Sequence, residues 1–130
     1  MDLNQVTLPS RDLSKSVQFY RKLGLTLIVD SIPRYARLEC ARGNSTLSVH
    51  YVDALPTGVG VTLYFECENL DEEVARLAAA GVSFDEMPTD RRWLWREATL
   101  KDPDGNRLIL YHAGTNRKDP PWKVPAPVHS

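Results

Sequence analysis

The apolar positions of two segments that begin 57 residues apart follow the same helical pattern. The first segment, LSKSVQFYRKLGLTL, spans residues 13–27, and the second, LDEEVARLAAAGVSF, spans residues 70–84. In both, apolar residues recur every three or four positions, as on one face of an amphipathic helix. Asp12 and Asn69 stand at N-cap positions, and Gly24 and Gly81 follow the last turns. The pattern predicts two helices, which start at residues 13 and 70 and end before the two glycines.

Segments with apolar residues at alternate positions flank both predicted helices. One strand precedes each helix, QVTL in the first half and VTLYFEC in the second. Three follow it: LTLIVD, RYARLECA and STLSVHYV in the first half, and VSFDE, LWREATL and RLILYH in the second. The turn sequences ARGNS and DPDGN join the last two strands of each half. The sequence therefore predicts an α+β fold of two tandem βαβββ modules, a cupped mixed sheet with the helices on its outside.

The boundaries of these units are set by the linker DALPTGVG and by a proline-rich C-terminus. We predict a single domain over residues 1–112, with module 1 at 1–53, a linker at 54–60 and module 2 at 61–112. The tail at 113–130 should be extended and non-helical because it is rich in proline. Trp122 within it is predicted to anchor the tail, either on this chain's own surface or on a partner's.

Strand alternation predicts which side chains each sheet turns away from its helix. In a strand, successive side chains point to opposite faces, and the apolar set should face the helix. A polar and aromatic set remains for the other faces, which would line a cleft within one chain or between two. For Tyr64 and Trp95, filling space between the sheets is an equally good interpretation. The predicted ligand-binding residues are Gln5, Tyr35, Arg37, Ser48, His50, Thr62, Tyr64, Trp95 and Tyr111, and Glu97 lies on the same face.

Composition and charge narrow the class of protein further. The chain is 42% hydrophobic and 25% charged, which is an ordinary globular mixture. A formal net charge of −1 does not provide the basic surface that nucleic acid requires. No apolar run is long enough to span a bilayer, and the N-terminus does not resemble a secretory signal. Cys40 and Cys67 are not spaced like metal ligands, so we expect them to be free thiols in a reducing cytoplasm. The expected binding partner of the chain is a small molecule.

Three segments carry a resemblance to a known family: QVTLPSRDLSKSVQFYRKLGL, LYFECENLDEEVARLAAAGV and DPDGNRLILY. With these, residues 3–112 resemble the glyoxalase/bleomycin resistance/dioxygenase superfamily, also called the vicinal oxygen chelate superfamily. The resemblance implies paired βαβββ modules and usually a homodimer. It also implies that the enzymes hold a divalent metal with His and Glu ligands from the first and last strands of each module.

The positions that correspond to those ligands are unsuited to a metal. They fall at Gln5, Ser48, Thr62 and Ile109, and none is His, Asp or Glu. The sequence therefore predicts no metal cofactor. A register error of two residues would bring in His50, so a divalent ion such as Zn, Ni, Mn or Fe is the alternative.

The predicted cleft and the four unsuitable ligand positions lead to two principal hypotheses about function. The first is a protein that binds a small aromatic or amphipathic molecule in its cleft without the usual metal. The alternative is an enzyme of the same superfamily, a lyase, isomerase or dioxygenase, with an unorthodox site around His50. There His50 would be the general base and Glu97 its carboxylate partner. A scaffold protein with a vestigial cleft is a third, weaker hypothesis.

Overall fold

The fold is known from a computed structural model, which describes residues 1–126; the last four residues of the predicted tail lie outside this range. Module 1 contains β1 (Gln5–Ser10), α1 (Leu13–Lys22), β2 (Thr26–Ser31), β3 (Tyr35–Glu39) and β4 (Thr46–Tyr51). Module 2 contains β5 (Thr62–Glu66), α2 (Leu70–Ala79), β6 (Glu86–Asp90), β7 (Arg96–Lys101) and β8 (Arg107–His112). Neither helix is long and apolar enough to cross a membrane.

Each module forms its own four-stranded mixed sheet. The strand orders are β1-β4-β3-β2 and β5-β8-β7-β6. In each sheet the first strand of the module runs parallel to the last, and the remaining pairs are antiparallel. The parallel pair needs a long crossover, and the helix supplies part of it. The predicted α+β fold of two βαβββ modules is confirmed.

The helix ends largely follow the predicted signals. The Asp12 carboxylate accepts a hydrogen bond from the Lys15 backbone N–H at 3.2 Å, so it caps α1. Gly24 and Gly81 have φ of 106° and 94°, a left-handed conformation that favours glycine. Asn69 occupies the N-cap position of α2, but its side chain makes no capping bond. The first turn of α2 instead carries three acidic residues, which suit the positive end of a helix dipole.

The helix-facing sides of both sheets share one apolar core. Tyr20 of α1 and Leu77 of α2 are at most 1% exposed, and so are Leu38, Val49 and Leu100 of the two sheets. All five belong to a single cluster of contacting buried residues. The opposite faces of the sheets lie outside this core, and we call them the uncovered faces.

Polar contacts between α1 and the β7–β8 turn also hold the modules together. The Tyr20 hydroxyl donates to Asp102 at 2.6 Å, and the Ser16 hydroxyl donates to Asp104 at 2.7 Å. Burial, followed by the nearby Asp102 carboxylate, holds the pKa of Tyr20 far above its usual value. In the repeat, Leu77 takes the place of Tyr20, so the pseudo-equivalent contact of α2 cannot include this hydrogen bond.

Three sequence-based boundaries were wrong. The strand predicted at residues 82–86 starts only at Glu86, because Val82 and Phe84 pack into the core just after α2. The strand predicted from residue 94 starts at Arg96, and Leu94 lies exposed in a turn with φ of 68°. The tail begins with a 3-10 helix, Gly114–Arg117, where an extended chain was predicted.

Beyond that helix, Trp122 is 57% exposed, so its side chain is not buried against the described surface of its own chain. Both anchors predicted for Trp122, its own chain's surface and a partner's, stay predictions.

Candidate functional site

The strand registers place the predicted site residues on the two uncovered faces. In the first sheet, Arg37 pairs with Ser48, and Tyr35 pairs with His50. In the second sheet, Glu97 pairs with Tyr111. Gln5 and Thr62 share the parity of these sets, as does Tyr64, and Trp95 packs against Tyr111 just before β7. The structure therefore places all ten residues on the uncovered faces, while their roles stay predictions.

A hydrogen-bonded chain of three side chains crosses the uncovered face of the first sheet. The Ser48 hydroxyl is fully buried and lies 2.6 Å from the Tyr35 hydroxyl. Arg37 Nε donates to the same Tyr35 oxygen at 3.0 Å, with its guanidinium carbon 5.6 Å from the centre of the Tyr35 ring. The hydrogen bond with Ser48 lowers the pKa of Tyr35, and the Arg37 guanidinium lowers it further.

Two other predicted residues of this sheet have few constraints. His50 is exposed, and its ring makes no hydrogen bond with any other described residue. Gln5 accepts a hydrogen bond from the Thr46 hydroxyl at 3.0 Å. The His50 imidazole is therefore available to a ligand, whereas the Gln5 carbonyl oxygen already has a partner.

Three aromatic side chains form a cluster on the uncovered face of the second sheet. The Trp95 and Tyr111 rings are stacked, with centroids 4.7 Å apart and planes at 18°. Tyr64 meets both edge-to-face, at 5.9 Å from Trp95 and 5.6 Å from Tyr111. Tyr111 is buried, but Tyr64 is 51% exposed. The cluster therefore joins a rigid stacked pair to an aromatic ring that solvent or a ligand can reach.

The start of the tail supports this cluster through contacts that were not predicted from the sequence. The Trp95 indole N–H donates to the Asn116 carbonyl at 3.3 Å. The Glu66 carboxylate accepts from the backbone N–H groups of Ala113 and Gly114, at 3.0 and 3.1 Å. Burial raises the pKa of the neighbouring Tyr111, and Glu66 raises it further. The sequence signal for this support was an acidic residue at the end of β5, on the cluster's face.

Glu97 serves the hairpin between β6 and β7. It is only 4% exposed, accepts from the Trp93 indole N–H at 2.7 Å, and lies 3.7 Å from Arg91 Nε. Arg91 also pairs with Glu86 at 2.7 Å. No contact joins Glu97 to His50 within the described chain, since they lie on different sheets. The predicted partnership of His50 and Glu97 is therefore not formed within one chain.

The side chains at the four positions that the resemblance assigns to metal ligands offer no strong ligand, and Thr62 among them contributes only a neutral hydroxyl. Ile109 carries no donor atom, the Ser48 hydroxyl is bonded to Tyr35, and the Gln5 oxygen accepts from Thr46. Within residues 1–126, no three His, Cys, Asp or Glu side chains are grouped closely enough to hold a metal.

The two uncovered faces share no polar or aromatic side-chain contact in the described part of the chain. Among residues 1–126, no hydrogen bond, ion pair or aromatic contact joins a side chain of one face to a side chain of the other. A cavity of about 1050 Å³ does lie between the modules, but mainly on the helix side. Its lining includes the thiols Cys40 and Cys67, and burial raises the pKa of Cys67 to about 11.

Comparison with known proteins agrees with this architecture. Residues 2–110 match the family model of the Glyoxalase/Bleomycin resistance protein/Dioxygenase superfamily. No curated protein matches the chain in sequence. Among solved structures, a glyoxalase/bleomycin resistance protein/dioxygenase from Nocardioides is 23% identical, with a TM-score of 0.78 over 96% of this chain and 90% of its own.

Two further structures share the fold at similar identity. Lactoylglutathione lyase from Agrobacterium tumefaciens is 19% identical, with a TM-score of 0.72 over 85% of this chain and 92% of its own. A bleomycin-binding protein in complex with bleomycin is 23% identical, with a TM-score of 0.68 over 86% of this chain and 98% of its own. With the family model covering nearly the whole of both modules, the chain belongs to the glyoxalase/bleomycin resistance protein/dioxygenase superfamily.

Proposed function

We propose that this protein binds a planar aromatic or amphipathic small molecule on its uncovered faces, without a metal. The observation that carries the proposal is the cluster of Tyr64, Trp95 and Tyr111. A stacked pair with a half-exposed third ring is a rigid apolar surface against which another planar ring can pack. Arg37, Tyr35 and His50 on the other sheet supply polar groups that would orient such a molecule.

The donor chemistry supports a metal-free site. Metal-dependent chemistry needs an ion held by several strong ligands, and the four corresponding positions offer one aliphatic side chain and three neutral polar ones. The bleomycin-binding relative shows that this fold can serve binding, and the lyase relative shows that it can serve catalysis. We infer binding because Glu97 is occupied within its own hairpin and His50 lacks a carboxylate partner in the described chain.

A homodimer is part of the proposal, because one chain leaves both uncovered faces open. A second copy could bring the first sheet of one chain against the second sheet of the other, closing two equivalent clefts. We expect light scattering after size exclusion to give twice the mass of the chain at micromolar concentration. A strictly monomeric protein would contradict this arrangement. The two unpaired thiols agree with the further proposal of a cytoplasmic location.

Two measurements on protein purified without chelator test the proposed function. Elemental analysis should find much less than one divalent ion per chain. A thermal-shift panel of planar aromatic compounds should contain members that raise the melting temperature, because a ligand that binds only the native state stabilises it. The same members should act equally well after treatment with EDTA.

The enzyme hypothesis predicts the opposite pattern. It requires about one bound ion per chain, lost in His50→Ala, and thermal shifts that disappear with EDTA. If neither ions nor thermal shifts are found, a scaffold role replaces both hypotheses.

A further inference from the structure

The uncovered face of the first sheet carries a cation, Arg37, that has no anionic partner among residues 1–126. Arg37 is half-buried, and only its Nε has a hydrogen-bond acceptor among residues 1–126, the Tyr35 oxygen. No carboxylate in that range lies within 4.0 Å of its guanidinium, although seven other lysines and arginines in the same range form nine ion pairs. Glu39, two residues along the strand, is exposed and unpaired as well. The outer edge of the guanidinium, with both terminal nitrogens, is left for an external acceptor.

The chain of hydrogen bonds behind Arg37 holds this edge in place. Ser48 is anchored in the middle of β4, fully buried, and fixes the Tyr35 hydroxyl at 2.6 Å. Tyr35 in turn fixes Arg37 Nε at 3.0 Å. Since one end of the planar guanidinium is fixed, a ligand would lose less side-chain freedom when it binds the other. Such a fork matches the two oxygens of a carboxylate.

We propose that Arg37 binds the carboxylate of an aromatic acid, so that the ligand of this cleft is a planar aromatic anion. This inference rests on the proposed function and its homodimer, since the aromatic part of the ligand would pack on the Tyr64, Trp95 and Tyr111 cluster that a second copy brings opposite Arg37. His50, paired with Tyr35 on the adjacent strand and exposed, borders the same position and can donate a further hydrogen bond.

The test compares two probes of nearly the same shape, 2-naphthoate and 2-naphthamide, at neutral pH. The first is an anion and the second is neutral, so their affinity ratio isolates the charged contact. We expect calorimetric titration of the wild-type protein to favour 2-naphthoate by about tenfold or more, the scale of a hydrogen bond to a charged group. Arg37→Met should abolish this preference, because it should lower the affinity for 2-naphthoate much more than the affinity for 2-naphthamide. Added salt should reduce the wild-type preference.

Two further variants separate the site from general charge and from misfolding. Arg21→Met removes an exposed cation from α1, which lies on the helix side of the sheet and not on its uncovered face. This variant should leave the preference for 2-naphthoate intact. Arg37→Lys keeps the charge but loses the fork, so it should retain only part of the preference. Melting temperatures of the variants establish that each is folded under the conditions of the titration.

The outcomes distinguish this inference from the proposed function. Equal binding of both probes by wild type, or an equal loss of both in Arg37→Met, overturns the anion site and leaves aromatic binding intact. The same loss in Arg21→Met as in Arg37→Met also overturns it, because the effect would then be one of net charge. If neither probe binds, the carboxylate site at Arg37 is overturned. The thermal-shift panel, which contains other aromatic compounds, then tests the proposed function separately.

Discussion

Replacing Trp95 with alanine should lower the affinity for planar aromatic ligands by at least about tenfold. Trp95 stacks on Tyr111 at 4.7 Å and meets Tyr64 edge-to-face, so its loss removes the largest ring of the cluster and frees the other two. The indole also loses its hydrogen bond to the Asn116 carbonyl, which separates the tail from the cluster. Calorimetric titration with a compound selected from the thermal-shift panel measures the loss.

Trp122→Ala provides the matched control for this experiment. It makes the same chemical change at a side chain that is 57% exposed and lies in the tail. Its affinity for the ligand should equal that of wild type. Tyr64→Ala adds a variant whose folding is less at risk, because Tyr64 is 51% exposed, and it too should weaken binding. Wild-type affinity in both Trp95→Ala and Tyr64→Ala would rule out the cluster as the ligand surface.

Replacing Asp102 with alanine should lower the free energy of unfolding by about 3 kcal/mol or more. Its buried carboxylate accepts four hydrogen bonds: from the Tyr20 hydroxyl at 2.6 Å, the Asn106 amide at 2.8 Å, and the backbone N–H groups of Asp104 and Asn106 at 2.9 Å. Without the carboxylate, the buried Tyr20 hydroxyl and three half-buried donors lose their acceptor, and the β7–β8 turn loses its hydrogen bond to Tyr20 of α1. Urea unfolding measures the difference.

Tyr20→Phe separates the contact between modules from the internal order of the turn. It removes one donor and keeps the buried ring, so we expect a cost of only about 1 kcal/mol at neutral pH. The raised pKa of Tyr20 also predicts that the wild-type contribution is complete below about pH 10 and declines above it, as the unfolded phenol ionises. Tyr20→Phe should lose that decline. An Asp102→Ala protein as stable as wild type would contradict this account of the junction.

The sequence was sufficient to predict the fold and the two faces because both depend on periodic signals. The repeat of apolar positions specified two helices, and alternation placed residues such as His50 and Trp95 opposite the core. Turn sequences reinforced the signals of the last two strands in each module, as with DPDGN before β8. The strand prediction was wrong at residues 82–85, because alternating apolar residues can belong to a strand or to a loop. Val82 and Phe84 alternate as in a strand, but they pack against the core from the loop that follows α2.

The hydrogen bonds within the candidate site could not be predicted, because they depend on contacts between residues that are far apart in sequence. Glu66 binds the backbone 47 residues further along, and Trp95 binds the Asn116 carbonyl. The position of Glu97 in its strand correctly placed its side chain on the uncovered face. Its hydrogen bond from the Trp93 indole N–H could not be predicted, because it depends on the shape of a turn in which Leu94 has positive φ. Periodicity gives the face on which a side chain lies and leaves its partner undetermined.

The proposed function requires that an aromatic ligand reach Trp95 when no metal is present, and the indole N–H resonances of the three tryptophans can report this directly. We would record them by NMR in EDTA-treated protein, with and without the compounds selected from the thermal-shift panel. We expect the chemical shift of the Trp95 resonance to change with ligand concentration until it saturates, while the shift of the Trp122 resonance stays constant. A Trp95 resonance that responds only after a divalent metal is added, or to no compound that stabilises the protein, would contradict the proposed function.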